Sequence, residues 1–216
     1  MHRTELQGDV LVVTLDDGKA NAVGHNFVDA VEAALEQAKQ EAKAVLFAGR
    51  PGVYSAGFDL KEFENGPEAT QALVNKGAHM LLNTFAHPQP VVMASTGHAV
   101  AAGAFFLLAG DTRVGTKGEF VTGLNETAIG MGLPVFGLQL AAARLSKRHQ
   151  TQAVIQAQMF DPAGAVDAGF LDELSDDALA RGLELASKLA ELPGEAYAQN
   201  KLDSRRPYID AIKASL

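Results

Sequence analysis

The chain has 216 residues, 47% of them hydrophobic and 20% charged, which excludes a disordered tail, a collagen-like fibre and a small stapled domain. Lys and Arg number 18 against 26 Asp and Glu, a net charge of −8 and the wrong sign for life on a phosphate backbone, so no nucleic-acid partner is expected. There is no cysteine for a disulfide, thiolate zinc site or thiol nucleophile, no signal-peptide core and no apolar run of membrane-spanning length; a soluble, cytoplasmic protein without a membrane partner is expected.

In chain order, β-branched residues at 10–15 run into the turn signal Asp16-Asp17-Gly18 and predict a strand. Apolar positions Phe27, Val28, Val31, Ala34, Leu35 and Ala38 recur at three and four, an amphipathic helix with Asn26 as its expected N-cap. The short apolar run 44–48 does not alternate and reads as a strand buried on both faces, so strand, helix and strand suggest a right-handed parallel crossover. Helical spacing over 67–85 is broken by Pro88-Gln89-Pro90 before a further buried strand at 91–95. Residues 97–110, rich in Ala and Gly, fit a tight internal helix, followed by a short strand at 112–114. From Pro134, placed as a first helical residue, the pattern is helical only: one helix through Leu140 toward Arg144, then helices at 151–158, 162–168, 177–192 and 194–201. The expected organisation is an α/β core over 1–133 and a helical region over 134–216 in one continuous domain, without internal repeats or linkers.

Three segments stand out. Tyr54 to Phe63 passes from a strand through small residues into a charged helical turn, where Gly57 would allow amide N–H groups to face a cleft; a plain strand-to-helix turn reads the same way. Gly97 to Asp111 contains enough small residues to bring a helix N-terminus against another backbone or a ligand, or simply to pack tightly. His98 within it is a structural histidine or a base. The third is Thr122 to Pro134, where Glu126 is the only ionisable residue between Glu119 and Arg144. Withdrawn from water, such a carboxyl has a raised pKa and becomes a base and acid usable near neutrality; on a surface loop it would be neither.

In this order and spacing, over nearly the whole chain, the segments resemble the crotonase superfamily of enoyl-CoA hydratases and isomerases. Lys19-Ala20-Asn21-Ala22 resembles the family's CoA-contacting turn, Ser55-Ala56-Gly57-Phe58-Asp59-Leu60 its first oxyanion motif, the stretch from Thr96 to Asp111 its second, and Asp167-Ala168-Gly169-Phe170-Leu171-Asp172 its later helix and turn. The resemblance implies an α/β, crotonase-like spiral of ββα units with a helical C-terminal region, assembled as a homotrimer or dimer of trimers. It implies an acyl-CoA thioester substrate, contacts to it from Lys19, Ala20, Ala56, Gly57, Asp59, Leu60 and Gly103, and no cofactor beyond the coenzyme A of the substrate; no metal is expected either, because the six His are scattered without paired-ligand spacing and there is no Cys to complement them. It also implies an oxyanion hole from the amides of Phe58 and Ala102, with Gly103 the neighbouring candidate for the second because the family has glycine where Ala102 stands.

Hydratases of this superfamily carry two catalytic glutamates. By the same resemblance the first falls on Phe105, which cannot move a proton, and the second on Glu126, inside a Gly123-Leu124-Asn125-Glu126-Thr127 segment similar to that of the Δ3,Δ2-enoyl-CoA isomerases. The expected activity is therefore an isomerisation of 3-enoyl-CoA to 2-enoyl-CoA with Glu126 as sole acid and base. The alternatives are another crotonase-type reaction such as hydration or thioester hydrolysis, and a catalytically silent CoA-binding assembly subunit. A serine hydrolase built on Ser55 lacks nucleophile-elbow spacing. The chain is also shorter than usual for the family, so its final helices are expected to be shortened, with Arg205, Arg206 and Lys213 in a solvated tail.

Overall fold

A computed structural model of the chain describes residues 2–216. Its first turn is β1 (Arg3–Gln7), β2 (Val10–Thr14) and α1 (His25–Glu41); the second is β3 (Ala44–Ala48), β4 (Gly52–Ser55), the single-turn α2 (Leu60–Phe63) and α3 (Pro67–Phe85). Then come β5 (Val91–Ser95), β6 (Gly97–Val100) and α4 (Ala102–Ala109), followed by β7 (Thr112–Thr116), β8 (Thr122–Gly123) and α5 (Val135–Arg144). The chain finishes with a π-helical turn (Thr151–Ile155), α6 (Pro162–Ala168), β9 (Glu173–Ser175), α7 (Ala178–Ala190) and α8 (Gly194–Lys213).

From β3 onward, successive strands go alternately to a six-stranded sheet, ordered β1-β2-β3-β5-β7-β9, and to a three-stranded sheet, ordered β4-β6-β8. Apart from the antiparallel β1–β2 hairpin, every pairing of named strands is parallel. This is a spiral of ββα turns. The turn from one sheet to the other is sharp enough that a Cβ on Gly97 would lie 2.0 Å from the carbonyl carbon of Gly52, so no side chain fits there.

The strands of β3 and β5 are buried along their whole length, which explains their unalternated apolar sequences. One face of the large sheet packs against α1, and α3 and α4 join the same apolar cluster around Phe27, Phe47, Phe85 and Phe106, with the Phe106 ring of α4 edge-on to Phe47 of β3. The other face, with Val12, Leu46, Val92 and Val114, is covered by α7. That helix presents Ala178, Gly182, Ala186 and Ala190 at four-residue spacing, and a Cβ on Gly182 would stand 2.9 Å from Leu46 Cδ1. Among the described residues, no helix is long and apolar enough to cross a membrane.

Several expected boundaries change. α1 begins at His25, and its N-cap is Gly24, whose carbonyl accepts from Val28 N; Asn26 lies inside the helix. The expected helix over 97–110 divides, because residues 97–100 pair with both β4 and β8 before Ala101 turns the chain into α4. Pro134 is the N-cap of α5 rather than its first helical residue, and the helix expected over 151–158 is a five-residue π-turn. The C-terminal region is not helical only, since β9 extends the large sheet beside β7.

α8 runs well past Lys201, through an exposed Pro207, because Lys201, Arg205, Ile209 and Ile212 all face the core. Arg205 is therefore not part of a solvated tail. It donates to the Phe85 carbonyl at 2.7 Å and pairs with Asp111. Arg206 and Lys213 are exposed.

Candidate active site

The loop after β4 is held by the turn before α1. Ala56 N donates to the Ala20 carbonyl at 3.0 Å, and Ser55 Oγ donates to the Asn21 carbonyl at 2.7 Å. Asn21 is fully buried with φ +48°, and its side-chain amide donates to the Leu15, Val53 and Tyr54 carbonyls. Asn tolerates the left-handed region better than other non-glycine residues, so one side chain both makes the turn and ties it to β4. Gly57 follows with φ +97°, where a side chain would be strained and would crowd Ala101.

Val23 and Phe58 then pair in a parallel bridge in which Val23 N donates to the Gly57 carbonyl and Asp59 N to the Val23 carbonyl. In such a bridge the amide of the central residue faces the opposite way. The Phe58 N–H thus turns from Val23, and Phe58 itself lines a cavity of about 390 Å³. α4 begins against the same loop: the position of a Cβ on Gly57 is 3.5 Å from Ala102 N. As the first residue of the helix, Ala102 has no intrahelical acceptor for its N–H. Preceding it, Ala101 has φ +51° and ψ −122°, a conformation that costs a non-glycine residue about 1–3 kcal/mol.

Glu126 comes from the next turn of the spiral. β8 pairs with β6, Leu124 is buried, and the short 3₁₀ turn Thr127–Ile129 folds back so that Met131 N donates to the Glu126 carbonyl at 2.9 Å. The Glu126 side chain lines the cavity, the residue is 7% exposed, and Oε2 is buried without a hydrogen-bond partner. Burial pushes its carboxyl above the ordinary carboxylate range. It is the only ionisable side chain in the cavity lining, which otherwise comprises apolar and small groups and Asn125, whose Oδ1 is also buried and unpartnered.

Of the expected substrate contacts, Ala20, Ala56, Gly57 and Leu60 line this cavity, together with Phe58 and Glu126. Lys19, Asp59, Ala102 and Gly103 are not in its lining. Lys19 is exposed and offers its carbonyl to Arg50 Nε; Asp59 caps α2 by accepting from Lys61 N. Gly103 is a packing residue, since a Cβ there would stand 2.4 Å from the Ser55 carbonyl oxygen. His98 is structural: its Nδ1 accepts from Val121 N at 3.0 Å. Phe105 lines the cavity, 1% exposed and edge-on to Phe136. Sequence reasoning missed Asn21, and its signal was an Asn in a turn; it also missed Ala101, Asn125 and the rim residues Ile129 and Met131. Among the described residues no three His, Asp or Glu side chains converge as a metal site would require.

The family model described as enoyl-CoA hydratase/isomerase matches residues 5–215. The chain belongs to this family. It is similar to the crystal structure of an enoyl-CoA hydratase/isomerase family protein from Pseudomonas syringae, with 38% identity and a TM-score of 0.96 over 99% of this chain and 94% of that one. It is also similar to two structures of one Mycobacterium tuberculosis protein, described as an enoyl-CoA isomerase in the first, with 34% identity and a TM-score of 0.94 over 99% and 95% of the two chains, and as a probable enoyl-CoA hydratase in the second, with 35% identity and a TM-score of 0.95 over 99% and 92%. A probable enoyl-CoA hydratase from Bacillus subtilis is 24% identical over 84% of this chain and 73% of its own length. The family's relatives thus include both hydratases and isomerases, and the expected crotonase fold and superfamily membership hold.

Proposed function

We propose that the protein is an isomerase that converts a 3-enoyl-CoA into the 2-enoyl-CoA, with Glu126 as both base and acid. The observation that carries this reading is the cavity lining, in which Glu126 is the single ionisable side chain and the Phe105 ring forms part of the wall; by the family resemblance, Phe105 stands where a hydratase of the superfamily carries its other glutamate. A 1,3 proton shift needs one carboxyl that returns the proton it took. Hydration needs a group to hold and activate water, and Phe105 can do neither.

In the proposed reaction the thioester oxygen accepts from the amides of Phe58 and Ala102. Glu126 takes a proton from C2, and the C–H electron pair becomes the dienolate, its charge carried largely on that oxygen. The protonated Glu126 then delivers the proton to C4; the double bond now lies between C2 and C3, and the carbonyl is restored. Each oxyanion donor in such sites is worth about 2.7–4 kcal/mol, and general acid–base help about 10²–10⁴ in rate. The two contributions are of similar size, and both are required.

Glu126→Gln tests the proposal. Turnover of 3-enoyl-CoA should fall by about 10²–10⁴ while binding of a saturated acyl-CoA persists. Wild-type turnover in the variant, or hydration of 2-enoyl-CoA by the unmodified protein at a rate exceeding the isomerisation, would overturn it.

A further inference from the structure

We infer that Gly137 on α5, and Gly77 on α3, set the size of acyl group the cavity accepts, by giving the rings of Phe105 and Phe58 room to sink into the helices. The inference rests on the proposed acyl-CoA site but not on which reaction occurs there. Phe105 and Phe58 both line the cavity. A Cβ on Gly137 would stand 2.6, 2.8 and 3.1 Å from Cζ, Cε1 and Cε2 of Phe105. One on Gly77 would stand 2.7 and 2.9 Å from Cε1 and Cζ of Phe58. In both cases the glycine meets the free tip of a ring whose root is fixed in a different element.

Neither glycine has a positive φ, so neither is needed for backbone conformation, and glycine inside a helix is a poorer helix former than alanine. Both positions therefore give up helix propensity for space. Gly182 on α7 does the same against Leu46, but there the space serves core packing. At Gly137 and Gly77 the neighbour is a cavity wall. A methyl group at Gly137 would force the Phe105 ring tip to retreat; the Phe136 ring stands edge-on to it at 5.8 Å, and the unfilled direction is the cavity.

The experiment measures binding of saturated acyl-CoA thioesters, from butyryl to dodecanoyl, by calorimetry, alongside kcat/KM for the matching 3-enoyl-CoAs. Gly137→Ala should weaken the longest relative to the shortest, by about fourfold for each methylene the displaced ring excludes, with the kinetic change appearing in KM. Gly77→Ala should act in the same sense through Phe58. Phe105→Leu in the Gly137→Ala background should restore the ratio, and Phe105→Leu alone should shift it toward longer chains. That single variant keeps the test open if Gly137→Ala fails to fold. An unchanged long-to-short ratio in folded Gly137→Ala, or in Phe105→Leu alone, overturns the inference. Because binding of a saturated thioester needs no chemistry, a wrong assignment of the reaction would leave this ratio readable.

Discussion

Asp111 is the carboxylate on which α8 is hung, and removing it should be among the most damaging single changes to this fold. Its Oδ2 accepts from Lys201 Nζ at 2.8 Å, Tyr197 OH at 2.9 Å and Val91 N at 2.8 Å, while Oδ1 lies 2.8 Å from Arg205 Nη2. The side chains of Lys201, Arg205 and Asp111 are 5%, 11% and 8% exposed, so water screens little of this. Burial alone would raise the Asp111 carboxyl, but Lys201 and Arg205 outweigh it and hold the group below its ordinary range. Two cations share this one counter-charge, which is why burial still pulls the Lys201 ammonium down to about 8. Breaking a buried pair by deleting one partner costs about 3–5 kcal/mol, against a total stability of about 5–15 kcal/mol for a typical protein. Asp111→Ala should therefore lose about 4 kcal/mol in urea unfolding at neutral pH, and adding Lys201→Met should recover part of it. The sign with pH follows from the lowered Asp111 value: its contribution is present above the unfolded value of 3.8 and is lost as pH falls through the lower folded one. A loss below about 1 kcal/mol would show the cluster to be no stronger than a surface ion pair and refute the reasoning. The effect should reach activity as well, because α8 packs on α5, whose N-cap Pro134 lines the cavity.

Ala101→Gly should stabilise the protein: relief of the strained backbone is worth about 1–3 kcal/mol and added unfolded-state freedom costs about 0.4–1 kcal/mol, so thermal unfolding should move up by a few degrees, and a downward shift would contradict it. The acid limb of the kcat/KM profile should have its midpoint above the ordinary glutamate value of 4.5, because burial raises Glu126; a midpoint at or below that value would mean the base is solvated. Burying the charged form also costs stability, and for a raised carboxyl that cost is absent at low pH and grows as pH rises through the unfolded value. Glu126→Gln should then unfold at higher denaturant than the parent protein at neutral pH, with the gap closing in acid, the reverse of Asp111→Ala.

The elements that could be read from the amino acids are those whose signal is local. β3, β5, α3 and α6 begin and end where apolar runs, helical spacing and prolines place them. The three-stranded sheet has no such signal, because β4, β6 and β8 are two to four residues long and are defined by pairing with each other across the spiral. β6 was hidden further by Ala and Gly residues that also suit a helix. The length of α8 was obscured by Pro207 and by basic residues that look solvated until Asp111, 90 and more residues earlier, supplies their partner. Glu126 was legible because an isolated charge in an apolar stretch needs only the sequence to be noticed. Its neighbours Phe58, Leu60 and Phe105 were legible only through the family resemblance, and Ala101, which carries no motif signal of its own, joins them at the cavity from another turn of the spiral.

The buried carboxylates of Asp111 and Glu126 differ in how they are satisfied. Asp111 is surrounded by two cations, a hydroxyl and a backbone N–H, all holding it in one charge state; the Tyr197, Lys201 and Arg205 contacts tie it to α8, and the Val91 N–H ties it to β5. Glu126 has an Oε2 with no partner, a raised carboxyl, an adjacent unpartnered Asn125 Oδ1 and a strained Ala101 in the same cavity wall. A fold gains nothing from such a group at rest, because an unsatisfied buried acceptor costs about 1–3 kcal/mol. The proposed proton exchange with a ligand would give the carboxyl with the fewest partners, rather than the one with the most, a use that the resting fold does not supply.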